Sequence, residues 1–367
     1  MLLERLRLAD FRNYASLDFA PTARLNVFVG ANAQGKSNLL EAIAMLGTGR
    51  SFRTAREVEL VRDGARDAAV AGEATLAAGN VRLTCEIERT ATGSKKRYAV
   101  NGTPVRYAGY LGRARTVTFV PVDLEIVRGG PSLRRSLLNG ALSQSSAGYY
   151  RHLARYTKIV AQKSALLRRA AAIDRDLLLA YNDALLDDAV AIVTARARYI
   201  EELAPAAATA YASIAGEAEP FEVAYAPNIA LGPFDEPAVR EAVAARLRTG
   251  LEAEIMRRAV LIGPHRDDMR LHIDRRPLAA YGSQGQQRTA TLALKVAEYG
   301  VVRARTGDAP LLLLDDVLSE LDRSRAARFL TAIGEYEQAF LTATEIDAAA
   351  MPHARRYLID AATVTAC

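Results

Sequence analysis

The chain has 367 residues, half of them hydrophobic and a quarter charged, enough for two or three domains with substantial cores. No window reaches the ~18 uninterrupted apolar residues of a membrane span, and the longest candidate, Ala204–Gly216, is short and bounded by Glu202 and Glu217. Glu4, Arg5, Arg7 and Asp10 occupy the place of a signal peptide's apolar core, and Cys85 and Cys367 are too few for a disulfide framework. Secreted, membrane-spanning and disulfide-scaffold classes are excluded, and a soluble, cytoplasmic protein is expected.

Leu2–Leu8 alternates apolar and charged residues, as a strand with one buried face does. Leu25–Val29 is an apolar run leading into Gly30, and Leu39–Leu46 then carries helical spacing, so the order is strand, glycine-rich turn, helix. Residues 68–120 read as β-rich: Val81–Ile87 alternates, Tyr98–Val100 enters an Asn101-Gly102 turn, and Thr116–Val120 is a further strand. Ser136 to about Leu203 reads as helical, with Arg151, Arg155, Lys158 and Gln162 on one face. Pro205, Pro220, Pro227, Gly232-Pro233 and Pro237 then break the pattern. Helix returns over Glu236–Arg258, and Leu311–Leu314 is a wholly apolar strand of the kind buried in a parallel sheet. There is no internal repeat and no heptad run long enough for a coiled-coil arm.

The net charge is only +6, but it is unevenly spread. From Arg89 to Ile173 sixteen Lys/Arg accompany two acids, Asp123 and Glu125, while the remainder holds 32 basic and 40 acidic residues. Such segregation marks either a surface for a polyanion or cationic faces balanced in space by acids from elsewhere. The tyrosines in and beside this stretch (98, 107, 110, 149, 150 and 156) are suited either to stacking on bases or to half-buried packing. On the nucleic-acid reading, Arg134, Arg135, Arg151, Arg155 and Lys158 are the candidate DNA contacts.

Three motifs carry chemistry. Gly30-Ala31-Asn32-Ala33-Gln34-Gly35-Lys36-Ser37, followed by Asn38, matches G-x-x-x-x-G-K-[ST] at every position, between an apolar strand and a helix. Glycines let successive backbone N–H groups turn inward onto phosphate oxygens, and the helix terminus adds its dipole. Lys36 is expected on the β- and γ-phosphates and the Ser37 hydroxyl on Mg²⁺. The strand Leu311–Leu314 ends in Asp315 and Asp316. Alone, an acid pair of this kind reads as the cap of a buried strand. Beside a phosphate loop, Asp315 becomes a Mg²⁺ ligand and Asp316 the general base for water. Lys36 and Asp315 lie 279 positions apart, room for a whole inserted domain. Third, Tyr281-Gly282-Ser283-Gln284-Gly285-Gln286-Gln287-Arg288-Thr289 precedes a helical run. Alone it is a polar loop with Ser283 as an ordinary N-cap.

In this order, the third motif resembles the signature loop of the ATP-binding-cassette class, and Ser319-Glu320-Leu321-Asp322 falls where that class has its D-loop. The resemblance implies that Ser283, Gln284, Gly285 and Gln286 contact ATP held by a second subunit, in a head-to-tail homodimer with two nucleotides between its halves. Further phrases in family order make the chain similar to the RecF family: Phe11-Arg12-Asn13-Tyr14, Gly30–Ile43, Gly49–Arg53, Gly129–Arg135, Gly263–Asp268, Gly282–Thr289 and Leu312–Asp322. They span essentially the whole chain, and the Gly263 and Gly282 phrases are the most family-specific.

That likeness implies an α/β fold, an SMC-like ATPase head with a mixed sheet and phosphate-loop core. It also implies an inserted, mainly helical lobe and no long coiled coil. The expected domains are 1–125 with 290–367 for the ATPase lobe, and 126–289 for the helical lobe ending in the signature. It implies ATP and Mg²⁺ as cofactors and slow DNA-stimulated hydrolysis used as a switch. It implies DNA binding at single-strand/double-strand gaps, partnership with RecR, and help in loading RecA through RecO and RecR. Some positions depart from the pattern. Pro121-Val122-Asp123-Leu124 lacks the usual Glu after Pro, leaving its Q-loop role open, and Asp316 stands where transporters carry Glu. Thr342-Ala343-Thr344 has no switch histidine, leaving Thr344 at that position. His265 fits either a nucleotide sensor or a structural turn, and Arg12 and Asn13 are placed beside the adenine by position alone. The rival readings are a transporter-type ATPase subunit, a DNA-binding module with a vestigial ATP site, and a small-molecule kinase.

Overall fold

The computed structural model describes residues 1–169, 173–216, 219–230, 232, 234–317, 321, 323–333, 336–344, 351 and 353–367. Two compact units emerge from the contacts. The first comprises Met1–Leu124, Thr209–Ala218 and Arg288–Cys367; the second comprises Glu125–Ala208 and Glu219–Gln287. The segment Thr209–Ala218 thus groups with the first unit, inside what the sequence assigns to the helical lobe.

The chain begins with β1 (Leu2–Phe11), β2 (Tyr14–Phe19), β3 (Leu25–Val29), α1 (Lys36–Thr48), β4 (Asp67–Leu76), β5 (Gly79–Thr90), β6 (Gly93–Val100), β7 (Thr103–Val105), α2 (Tyr107–Tyr110) and β8 (Thr116–Phe119). It continues through α3 (Glu125–Arg128), α4 (Pro131–Ser145), α5 (Ala147–Arg169), α6 (Arg175–Ala215), β9 (Phe221–Ala226), α7 (Glu236–Thr249), α8 (Leu251–Arg257), β10 (Asp268–Ile273), β11 (Arg276–Pro277) and α9 (Leu278–Tyr281). It closes with α10 (Gln284–Thr306), β12 (Leu311–Asp315), α11 (Arg323–Ile333), β13 (Ala339–Ala343), β14 (Arg355–Asp360) and β15 (Thr363–Ala366).

In the first unit, an antiparallel sheet runs β2-β1-β4-β5-β6-β7, and a mixed sheet runs β15-β14-β3-β13-β12-β8. In the mixed sheet all neighbours are parallel except β15. Helix α1 lies between the sheets, against β12, β13 and β8 on one side and β4, β5 and β1 on the other. That sandwich explains its composition: Leu39, Leu40, Ala42, Ile43, Ala44, Met45 and Leu46 are all buried, the all-round apolar surface of an interior helix. On β1 a register shift between Leu3 and Arg5 turns Leu3, Leu6 and Leu8 all to the core, although strict alternation would expose one of them.

The second unit is mainly helical, with the small sheet β11-β10-β9. One expectation fails here: Pro205 does not end its helix, and α6 runs through it to Ala215. Proline removes a single ladder donor. Ala204, Ala206, Ala207 and Ala208 favour helix, and Ala207, Ala210, Tyr211 and Ile214 are buried at helical spacing. No helix of the described residues is long and apolar enough to cross a membrane.

The basic segment is partly neutralised in space. Lys96 pairs with Glu57, Arg97 with Glu88, Arg115 with Asp308, Arg134 with Asp268, Arg155 with Asp188, and Lys163 with Glu254. Every one of these acids lies outside residues 89–173. Its tyrosines are packing residues as well: Tyr110, Tyr149 and Tyr156 are buried, and the rings of Tyr98 and Tyr107 pack with one another, Tyr98 also against Tyr110.

Candidate nucleotide-binding site

Strand β3 delivers the chain to Gly30, and the loop from Gly30 to Gly35 turns it into α1. Two glycines are sterically required. A Cβ on Gly30 would stand 2.3 Å from the Ile359 carbonyl oxygen, and one on Gly35 2.8 Å from Asn13 Nδ2; both have positive φ, 152° and 118°. Ala33 also has positive φ, 66°. The loop is pinned from outside by Asn13 Nδ2 donating to Gln34 O (3.1 Å) and Tyr14 Oη to Gly35 O (3.1 Å). Asn38 Nδ2 donates to Asn13 Oδ1 at 2.8 Å, holding that asparagine's orientation.

Lys36 Nζ donates to the carbonyls of Gly30 (2.6 Å) and Ala31 (2.8 Å). Burial lowers its pKa, while Asp316 and Asp315 act to raise it. Ser37 Oγ donates to Asp315 Oδ1 at 2.8 Å, bringing together two residues 278 positions apart. The same carboxylate oxygen accepts from Thr342 Oγ1 at 2.8 Å, and that hydroxyl in turn accepts from Asp316 N at 3.0 Å. Parallel pairing of β12 with β13 sets Asp315 opposite Thr342, and pairing of β13 with β3 sets Thr342 opposite Phe28. Thr342 thus joins the site although the sequence reading did not single it out, while Thr344 lies just past β13 and is exposed. Asp316 has φ 53° and is exposed beside the buried Asp315.

Arg12 sits at φ 54° with its guanidinium engaged by Glu41, Nε to Oε2 at 2.8 Å and Nη2 to Oε1 at 2.7 Å, and by Glu59 O at 3.0 Å. Glu41 is fully buried on α1 and receives Ser51 as well, with Arg53 at 3.6 Å. The cluster fixes the phrases around Arg12 and Gly49 to the helix that follows the phosphate loop. Nothing in the spacing announced Glu41, whose neighbours are all apolar or small.

In the second unit, Ser283 caps α10. Its Oγ accepts from Gln286 N (3.2 Å) while Gln286 Oε1 accepts from Ser283 N (2.8 Å), a reciprocal capping box. Gln286 Nε2 also donates to Glu219, and Gln287 holds the turn through the carbonyls of Leu278 and Gly282, with Arg128 donating to its Oε1. Ser283 and Gln284 remain exposed at this helix start. The expected D-loop residues Ser319, Glu320 and Asp322 lie outside the described residues.

The candidate DNA residues divide. Arg134 is buried and gripped by Asp268 (Nε–Oδ1 2.6 Å, Nη2–Oδ2 3.0 Å) and by the carbonyls of Ile126 and Gly129. Arg135 donates to Asp267 O at 2.7 Å, and burial lowers its pKa. Both clasp the Gly263–Asp268 turn, Arg134 from a buried position and Arg135 from a half-buried one. Arg196, two positions beyond Thr194 on α6, completes that clasp through Asp267 (3.0 Å) and Pro264 O (2.6 Å). Arg151, Arg155 and Lys158 are exposed on α5, with Arg155 also bonded to Asp188 at 2.7 Å. His265 Nδ1 bonds Tyr156 Oη (2.7 Å) and Nε2 faces Val260 O (3.2 Å), so the half-buried imidazole braces the same turn. Asp123 Oδ2 accepts from Val120 N at 2.9 Å; burial raises its pKa against the pull of Lys295.

Hard oxygen donors fit Mg²⁺ here. One hydroxyl and one carboxylate stand side by side, leaving the remaining positions for phosphate oxygens and water, the ordinary arrangement for that ion. No cluster of three or more His, Cys, Asp or Glu suited to a metal occurs among the described residues.

Comparison with known proteins bears on the same residues. A family profile described as "RecF/RecN/SMC N terminal domain" matches residues 2–358. Proteins named "DNA replication and repair protein RecF" are 40% identical over 354 residues in Gloeobacter violaceus (94% of this chain, 92% of that one) and 38% identical over 368 residues in Staphylococcus carnosus (98% of each). Among solved structures, the recombination mediator protein RecF-ATPrS in the RecFOR pathway superposes with a TM-score of 0.91 at 31% identity, covering 100% of this chain and 98% of that one. A structure of an SmcHead bound to the C-winged helix domain of ScpA, 14% identical with a TM-score of 0.56 and covering 100% and 98%, shares the fold. The phosphate loop, the strand ending in two aspartates and the Ser-capped helix start thus stand in one continuous likeness from end to end, and the chain belongs to the RecF family.

Proposed function

We propose that the protein is an ATP-gated DNA clamp of recombinational repair. The observation that carries this reading is the pairing of Ser37 with Asp315 at 2.8 Å beside a phosphate loop, in a chain of this family. ATP bound there supplies the γ-phosphoryl group whose transfer to water resets the clamp. Lys36 exchanges the Gly30 and Ala31 carbonyls for phosphate oxygens, and the loop N–H groups converge on the same charge. Ser37 and Asp315 hold Mg²⁺, Thr342 keeps the Asp315 carboxylate aimed, and Asp316 orients and deprotonates the attacking water. Its short side chain suits a slow switch.

Ser283, Gln284, Gly285 and Gln286 of one protomer meet the nucleotide of its partner, so ATP bridges a homodimer. A ligand bridging an interface adds about 3–4 kcal/mol at 100–1,000 times its dissociation constant, enough to turn a weak dimer on and off. DNA is gripped by its backbone. Helix α5, which has no acidic residue in its 23 positions, offers Arg151, Lys158, Arg168 and Arg169 on its exposed surface. With about six phosphates neutralised, affinity falls on the order of 10³-fold between 50 and 200 mM salt. The relatives' names and the RecFOR context support recruitment of RecR, and through RecO and RecR the loading of RecA at single-strand/double-strand gaps.

Sedimentation velocity on Asp316→Asn protein with Mg²⁺ tests the central claim. The expected result is a shift from monomer to dimer on adding ATP, abolished by adding Ser283→Arg. A monomer under both conditions refutes the bridging role of the Ser283 loop.

A further inference from the structure

The hairpin of β14 and β15 closes through Ala361 and Ala362, with Asp360 paired to Thr363. Both loop residues have positive φ, 45° and 62°, so this is a two-residue turn of the I′ type. Such turns favour Asn-Gly, and the chain uses that pair at Asn101-Gly102, where φ is 52° and 79°. Here two alanines adopt the same left-handed backbone, a conformation in which each Cβ is strained.

The turn's two successive N–H groups are both spent on one residue of the phosphate loop. Ala361 N donates to Gln34 Oε1 at 2.7 Å and Ala362 N donates to Gln34 O at 3.0 Å. On the opposite side, Asn13 Nδ2 donates to the same Gln34 carbonyl at 3.1 Å. The hairpin also touches the other end of the loop. Strand β14 runs parallel to β3 with Leu358 opposite Val29, and the Ile359 carbonyl lies so close to Gly30 that no side chain fits there. One hairpin therefore fixes both the first residue of the loop and the one just before Gly35.

We propose that Gln34 and the Ala361–Ala362 turn are positioning elements of the nucleotide site, which hold the Gln34 peptide turned outward so that the neighbouring loop N–H groups face the phosphates before nucleotide arrives. The proposal rests on the nucleotide-binding reading above. It adds a reciprocal consequence: if the hairpin organises the loop for ATP, ATP stiffens the hairpin.

Two measurements on the full chain test it. The first is titration with a fluorescent ATP analogue and Mg²⁺. Gln34→Met keeps the length of the side chain and removes its acceptor, and weakens binding by about three- to tenfold, the worth of one hydrogen bond. The pair Ala361→Asn with Ala362→Gly retains both N–H donors in a less strained turn, so it binds at least as tightly as the unaltered chain. The second is hydrogen exchange of the amides at Ala361 and Ala362. They exchange faster in Gln34→Met without nucleotide, and slower in the unaltered chain once ATP is added. A Gln34→Met protein that melts earlier yet binds ATP with unchanged affinity overturns the proposal, and so does ATP binding that leaves the turn's exchange untouched. Failure of the unaltered chain to bind ATP refutes the nucleotide reading itself, and the positioning role falls with it.

Discussion

Thr342→Val removes one hydroxyl and almost no volume. The hydroxyl donates to Asp315 Oδ1 at 2.8 Å and accepts from Asp316 N at 3.0 Å, and its side chain is buried. The bond to the carboxylate is charge-assisted, worth about 1.5–3 kcal/mol, and stranding the Asp316 N–H adds about 1 kcal/mol because water reaches that exposed residue. The sum, roughly 2.5–4 kcal/mol, should appear as an earlier urea midpoint at unchanged m-value. Asp315 then keeps only Ser37 on its inner oxygen and rotates more freely, and Asp316 loses the bond that supports its left-handed backbone. Turnover of ATP should fall at least about tenfold, the equivalent of ~1.4 kcal/mol, with a higher Mg²⁺ requirement. Thr342→Ser keeps the hydroxyl and should recover most of both. Unfolding curves and Mg²⁺-dependent turnover indistinguishable from the unaltered chain would refute the argument that this oxygen organises the two aspartates.

Arg134→Ala should destabilise the second unit by about 2–3 kcal/mol in chemical denaturation, since it strands the half-exposed Asp268. Arg151→Ala with Lys158→Ala should leave stability within about 0.5 kcal/mol and reduce the salt slope of DNA binding by roughly 2; an unchanged slope would remove α5 from the DNA surface. Burial lowers the His265 pKa from 6.5, so the unfolded chain takes up that proton first on acidification. Its contribution to stability is complete above about pH 6.5 and is lost as pH falls through the depressed folded value. His265→Gln should flatten this part of the pH–stability curve, and an equally steep curve would contradict a partly desolvated neutral imidazole.

Motifs whose chemistry is local were readable without coordinates. Gly30 and Gly35 are dictated by close approach and backbone sign, Ser283 by the capping box it makes with Gln286, and the apolar run of β12 by burial on both faces. What escaped depends on pairing between distant segments. Thr342 matters because parallel register sets it against Asp315, and Glu41 because Arg12 reaches it from the turn between β1 and β2. The partners of Arg134 and Arg135, Asp268 and Asp267, come some 130 positions later, so the spacing could not show that these cations are bonded within the fold. Pro205 was read by its local rule, and burial of Ala207, Tyr211 and Ile214 overrode it.

The mixed sheet has a consequence for how the protein is made. Strand β3 is complete by Val29, but both strands it bonds to, β13 and β14, begin at Ala339 and Arg355. A ribosome adding about 5–20 residues per second needs roughly 15–60 s to bridge that gap. In that interval β1, β2 and β4–β7 can already pair among themselves, because each neighbour lies close in the chain. They can shelter one side of α1 while its other side, destined for β8, β12 and β13, stays uncovered. The Gly30–Gly35 loop is thus made long before the strands that brace it, and it can be held in place only once β13 and β14 have been made.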